Sequence, residues 1–328
     1  MSAKEDLVNT VISGKYIIKK YIGSGSFGDV YEALNKKTNT SVALKIPVIT
    51  KEKNGQKMLM DEAKIYKYLS NPSKGIANVK VTKHKEYKII VMDLLGPNME
   101  ALFSKCNKKF SLQTVIRLAI MMIDILQYIH SNGFIHRDLK PDNFVINNKK
   151  LHNKNTIDYD SDPGLYDNNI GLYGNGYVSN TKLYCIDFGL AKKFLKKDGT
   201  HIDYCDNKKF CGTAKFASIA AHEHVEQSRK DDLEAIAYIL IYLYKGRLPW
   251  QGIKTKDKKK RYNLIYNEKI KYSPEELCKD MPREFIVFLN YVKTLSFDEK
   301  PPYNSFKKMF LRLYERMEYT DHLFEWEK

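Results

Sequence analysis

His136-Arg137-Asp138-Leu139-Lys140-Pro141-Asp142-Asn143 brings a carboxylate, an amine and a carboxamide into one short loop. Together these groups suit one kind of chemistry. The Asp138 carboxylate can accept the proton of an attacking hydroxyl. The Lys140 amine can meet negative charge on a group in transit, and the Asn143 amide oxygen can hold a magnesium ion.

Outward from this loop, the partners of such a site occur in order. Downstream, Asp187-Phe188-Gly189 follows the strand-like Leu183-Tyr184-Cys185-Ile186 and offers a second magnesium ligand beside Asn143. Upstream, Gly23-Ser24-Gly25-Ser26-Phe27-Gly28-Asp29-Val30 lets backbone N–H groups approach a polyphosphate closely. It lies between two strands rather than before a helix, which argues against a dinucleotide fold. Lys45, in the apolar run Val42-Ala43-Leu44-Lys45, needs an anionic partner to sit there. ATP phosphates and a helix glutamate are expected; spacing leaves Glu62, Glu52 and Asp61 open. Four motifs in this order resemble the protein kinases. Lys140, two residues after Asp138, favours a serine/threonine acceptor over tyrosine.

More specific stretches resemble the casein kinase 1 family: Leu94-Leu95-Gly96-Pro97-Asn98-Met99, Gly212-Thr213-Ala214-Lys215-Phe216-Ala217-Ser218-Ile219, Glu226-Gln227-Ser228-Arg229-Lys230-Asp231-Asp232-Leu233-Glu234 and Leu248-Pro249-Trp250-Gln251-Gly252. The resemblance implies Asp138, Lys140, Lys45 and Glu62 as the catalytic set, with Glu62 as the Lys45 partner. It implies Asn143 and Asp187 as magnesium ligands. For ATP it implies Gly23, Gly25 and Gly28 on the phosphates and Met92 as gatekeeper. Backbone contacts to adenine would come from Asp93 and Leu95, with Ile22, Val30, Ala43, Val145 and Ile186 around the base. Asp232 would brace the catalytic loop. The family prefers acidic or phosphorylated protein substrates, and its anion-binding residues correspond to Lys215 and Arg261, with a second set at Arg137, Lys192 and Lys208. Two charge-assisted hydrogen bonds favour a primed substrate by on the order of a hundredfold. The chain departs from the pattern at Lys215 (arginine in the family), Ala220 (asparagine) and His224 (glycine). A lysine also loses the bidentate geometry of arginine.

The implied fold is bilobal α+β: a small antiparallel β-lobe with one main helix, and a larger, mainly helical lobe. The expected layout is one kinase domain over 1–328, with an N-lobe over about 12–92, a hinge at 93–97 and a C-lobe over 98–320. Strands are expected at Tyr16–Ile18, Val30–Leu34, Val42–Ile46, Ile76–Thr82 and Tyr87–Met92, and a helix over 56–70. Ser111 reads as the N-cap of a long helix reaching His130, with further helices at Leu233–Tyr244 and Glu284–Leu295. Residues 147–182, rich in Asn, Asp, Gly and Tyr, read as a mobile insert. A kinase-fold scaffold binding partners through this insert is the alternative function.

At 328 residues and 43% hydrophobic content, the chain is globular rather than disordered. The longest apolar run is read near Leu233–Tyr244, too short to span a bilayer and interrupted by Glu234. The N-terminus shows no signal core, Ser2 excludes myristoylation, and no prenylation box closes the sequence. No membrane partner is therefore expected. Five cysteines form no C-x-x-C pair, and Cys205, Cys211, His222 and His224 match no zinc spacing. The expected setting is intracellular, in cytoplasm or nucleus. The net charge of +16 points to anionic partners. It comes from lysine in a chain with only 8 arginines, a bias that coding composition can also produce. Nucleic acid is not the expected partner, because no basic run is interleaved with aromatics. Within the basic run at 254–261, Lys258–Arg261 read either as a substrate anion site or as a solvated loop or nuclear-import patch.

Overall fold

The alternating runs around Lys45 become a six-stranded antiparallel sheet in the computed structural model, which describes residues 7–25, 27–48, 54–148 and 181–328. The strands are β1 (Val11–Ile12), β2 (Tyr16–Ser24), β3 (Gly28–Asn35), β4 (Thr40–Pro47), β5 (Val79–His84) and β6 (Tyr87–Asp93), in spatial order β1-β2-β3-β4-β6-β5. Helix α1 (Asn54–Leu69) packs on this sheet.

Register sorts the two faces of the sheet. Leu44 lies opposite Tyr31 and Val91, and these pack with Ile12, Ile18, Ala33 and Ile89 into one core. The neighbours of Leu44 in β4, Ala43 and Lys45, point the other way. Lys45 is opposite Val30 and Ile90, and Ala43 is opposite Met92, so these residues share the second face. Helix α1 supplies Leu59 and Ala63 against Ile90 on that side. Both faces are thus covered, which is why Ala43, Leu44 and Lys45 are buried in succession.

The fifth strand starts later than the expected Ile76. Asn71 caps a 3-10 turn over Pro72–Lys74 and bridges to Ile76, so Ile76 and Ala77 are fully buried anchors ahead of Val79. The two-residue β1 gave no period to read.

The chain divides into two units. The described residues of the first are 7–25, 27–48, 54–97, 145–148 and 184–191; those of the second are 98–144, 181–183 and 192–328. The second unit is mainly helical and is built on α2 (Met99–Lys105) and α3 (Leu112–Ser131). Ser111 caps α3 as its sequence indicated, accepting from Thr114 N–H. This helix, rather than Leu233–Tyr244, is the longer apolar stretch. By length and composition it could cross a membrane, but it is mostly buried, as a core helix is. It packs on two later helices, Arg229–Lys245 and Tyr303–Arg316.

In chain order the later elements are short strands at Phe134–Ile135 (β7), Phe144–Ile146 (β8), Leu183–Cys185 (β9) and Lys192–Lys193 (β10). Helices follow at Ile219–His222 (α4), Arg229–Lys245 (α5), Lys258–Lys269 (α6), Pro274–Leu277 (α7), Arg283–Thr294 (α8) and Tyr303–Arg316 (α9). The basic run is not wholly a loop: Lys258–Arg261 form the first turn of α6. Asp257 caps that turn, accepting from Lys259 N–H at 2.7 Å and Lys260 N–H at 3.1 Å. Of the 147–182 insert, residues 149–180 lie outside the described residues.

Candidate active site

In the first unit, β4 drives Lys45 inward and α1 meets it with Glu62. The Lys45 Nζ donates to both Glu62 oxygens, at 2.7 and 2.8 Å, and to Asp187 Oδ1 at 2.8 Å. Asp61 turns outward to Lys64 instead, and Glu52 lies outside the described residues. All three members of the cluster are buried. Burial, the largest influence, works to lower the Lys45 pKa, but the two carboxylates outweigh it and the net shift is upward. One cation faces two anions here. Burial lifts Glu62 to about 7, opposed by Lys45 and reinforced by Asp187.

Asp187 sits at φ +65°, a conformation that calls for local support. Its N–H donates to the Tyr66 hydroxyl at 2.9 Å, and the Phe188 ring packs edge-on against Tyr66 with centroids 4.9 Å apart. Tyr66 follows Glu62 by one helical turn on α1, so both side chains reach the same loop. Tyr66 falls within the helix expected over 56–70, but its bond to Asp187 could not be read from spacing.

The glycine loop closes over the same amine. A Cβ on Gly25 would lie 2.9 Å from Lys45 Nζ, and one on Gly28 would lie 2.6 Å from Ile46 O. Gly23 has open space around it, so close approach does not require glycine there. Val30, Ala43 and Met92 share the face that carries Lys45, as register requires. Val145 is buried, Ile186 and Leu95 half-buried, and Ile22 and Asp93 exposed. Beyond Asp93, the Gly96 N–H donates to Ile146 O at 2.8 Å and Pro97 O accepts from Ile146 N–H at 3.1 Å.

In the second unit, Asp232 in the first turn of α5 holds the catalytic loop. Its Oδ2 accepts from His136 N–H at 2.7 Å and its Oδ1 from Arg137 N–H at 2.9 Å; His130 Nε2 lies 2.9 Å from Oδ2. Burial would raise the Asp232 pKa, but the His130 and backbone hydrogen bonds overcome it and hold the carboxyl below its ordinary value. This clamp supports Arg137 at φ +66°. Next in the loop, Asp138 has its two oxygens engaged separately. Lys140 Nζ donates to Oδ2 at 3.1 Å and Thr213 Oγ1 to Oδ1 at 2.7 Å. Thr213 lay inside a quoted motif, yet its contact with Asp138 was not legible without the fold. Asn143 Nδ2 donates to Asp138 O at 2.8 Å, which leaves the Asn143 amide oxygen as the atom available to a ligand. Asn143 and Asp187 thus offer oxygen donors, the ligand type magnesium takes.

The anion-site candidates differ in their surroundings. Lys192 and Lys208 are brought together by one buried carboxylate, Glu226, at 2.8 and 3.1 Å. They are partly neutralised rather than an open basic pair. The Lys215 amine lies 3.4 Å above the Tyr242 ring, and burial draws its pKa down. Arg261 is exposed on α6. Among the described residues no hydrogen bond or ion pair joins Lys215 to Arg261.

Two sets of groups result: a buried amine with two carboxylates under a glycine loop, and a carboxylate oriented by an amine and a hydroxyl. Against known families, the model described as the protein kinase domain matches residues 16–301.

Proposed function

The chain belongs to the protein kinase family, and from that premise we propose that it is a casein kinase 1-like serine/threonine kinase. It would transfer the ATP γ-phosphoryl group to Ser or Thr hydroxyls in acidic or phospho-primed proteins. The observation that carries the acceptor reading is the Asp138 carboxylate, held by Lys140 on one oxygen and Thr213 on the other.

In this reading Asp138 accepts the proton of the incoming hydroxyl, with Thr213 fixing which oxygen faces it. Lys140 meets the charge that develops on the transferred group. Lys45, kept cationic by its carboxylates, engages the ATP phosphates beneath Gly25 and Gly28, and Glu62 fixes the direction of the amine. Protein kinases use ATP with a divalent metal. Asn143 and Asp187 are the residues that would hold magnesium, which when bound offsets the polyphosphate charge. Lys45 already holds Asp187 Oδ1 at 2.8 Å, which places that carboxylate beside the amine.

The substrate preference draws support from Lys215 and from the first turn of α6. Four cations there oppose the helix dipole, which stability alone disfavours. Since Glu226 already occupies Lys192 and Lys208, Lys215 and Arg261 carry the primary anion contact. Lys215→Glu with Arg261→Glu is expected to raise KM for an acidic peptide about tenfold or more, with KM for ATP nearly unchanged. Equal peptide kinetics in the double variant would remove the anion site. The absence of any disulfide among the five cysteines supports a reducing, intracellular setting.

A further inference from the structure

The segment after Thr213 belongs to neither a sheet nor a long helix, yet side chains from several elements hold its polar groups one by one. His222 Nε2 lies 3.3 Å from Ala214 O, and Trp250 Nε1 donates to Lys215 O at 2.8 Å. Ser218 Oγ donates to Asp231 Oδ1 at 2.6 Å, and Ile219 N–H to Glu234 Oε1 at 3.0 Å. Ala217 O accepts from the amine of Lys269, the last residue of α6.

Lys269 is the unexpected member of this set. It is completely buried, with its amine 4.9 Å from the Tyr238 ring centre and 5.1 Å from that of Trp250. An amine in such a place is costly, and an apolar side chain of equal length would fill the space. Its hydrogen bond reaches further than Ala217. The N–H groups of Phe216 and Ala217 both donate to Thr213 O at 2.9 Å, and Thr213 Oγ1 in turn donates to Asp138. Ala217 is therefore gripped by Lys269 through its carbonyl and tied to Thr213 through its N–H.

We propose that Lys269 is a positioning residue for phosphoryl transfer: through Ala217 and Thr213 it sets the orientation of the Asp138 carboxylate. This rests on the kinase reading above. Sequence inspection gave no sign of it, because a lysine at the end of a basic helix looks like a solvated residue.

The test uses the full chain with Mg-ATP and a Ser-containing acidic peptide. Lys269→Met keeps the volume and removes the donor. The expected result is a melting temperature near wild type, a loss of about tenfold or more in peptide kcat/KM, and an unchanged KM for ATP. Lys269→Gln, which keeps a donor, should recover part of the loss. In a double-mutant cycle with Thr213→Ala the two effects should be less than additive. Wild-type kinetics in Lys269→Met would overturn the proposal, and so would full additivity with Thr213→Ala. Failure of both Lys269 variants to fold would also overturn it, by making Lys269 a folding residue. Absence of transfer by the wild type would instead contradict the kinase reading itself.

Discussion

Lys45 is supported by residues far apart in sequence, and the support is unequal. Glu62 and Asp187 bind it directly, while Gly25 and Gly28 leave room for it. Gly28 is set by backbone: an added methyl would meet the Ile46 carbonyl, which cannot rotate away. Gly23 meets nothing. Gly28→Ala should therefore lower stability by about 1–3 kcal/mol in urea unfolding, whereas Gly23→Ala should unfold like wild type. Equal stability for the two variants would contradict the described loop. Lys45, Asp138, Asn143 and Asp187 were legible in the sequence because chemistry demands those side chains at fixed points of short motifs. Tyr66, Thr213 and Lys269 were not, since each acts by a hydrogen bond that only the fold creates. For the same reason the common partner of Lys192 and Lys208, Glu226, could not be read from spacing.

Among elements, α5 does most to shape the catalytic loop. Its first turn presents Asp231 to Ser218 and Asp232 to His136 and Arg137, so one buried helix start fixes both the loop of Asp138 and the segment beyond Thr213. Removing Asp232 takes the acceptor from the buried His136 N–H, the half-buried Arg137 N–H and His130. Asp232→Ala should cost about 3–5 kcal/mol by urea unfolding near neutral pH. Because its folded pKa is depressed, the contribution of Asp232 is present above the unfolded carboxyl value of 3.8 and is lost as pH falls through the folded one. The stability gap between wild type and variant should accordingly narrow in acid; a gap constant down to low pH would argue against the ionised clamp. The strands and helices themselves were largely visible as period-two and 3.6-residue patterns. Exceptions have physical causes: β1 is too short to show a period, β5 is preceded by buried anchors that mimic strand residues, and the first turn of α6 is masked by its charge and revealed only by its Asp257 cap.

At the scale of the whole molecule, a mainly β unit carries the amine, the glycine loop and the Asp187 carboxylate, and a mainly helical unit carries Asp138 with its orienting groups. The division of labour was readable from motif order, while substrate choice was not, because a net charge of +16 spread over lysines does not say which cations face a partner. The proposed role of Asp138 is to serve a serine/threonine acceptor with Mg-ATP. The most direct test is phosphate incorporation into a mixed Ser, Thr and Tyr peptide library, read by mass spectrometry, for wild type and Asp138→Asn. Wild type should phosphorylate Ser and Thr in acidic contexts, and Asp138→Asn should fall by about 10²–10⁴-fold. Transfer to tyrosine alone, or equal incorporation by the two proteins, would contradict the account.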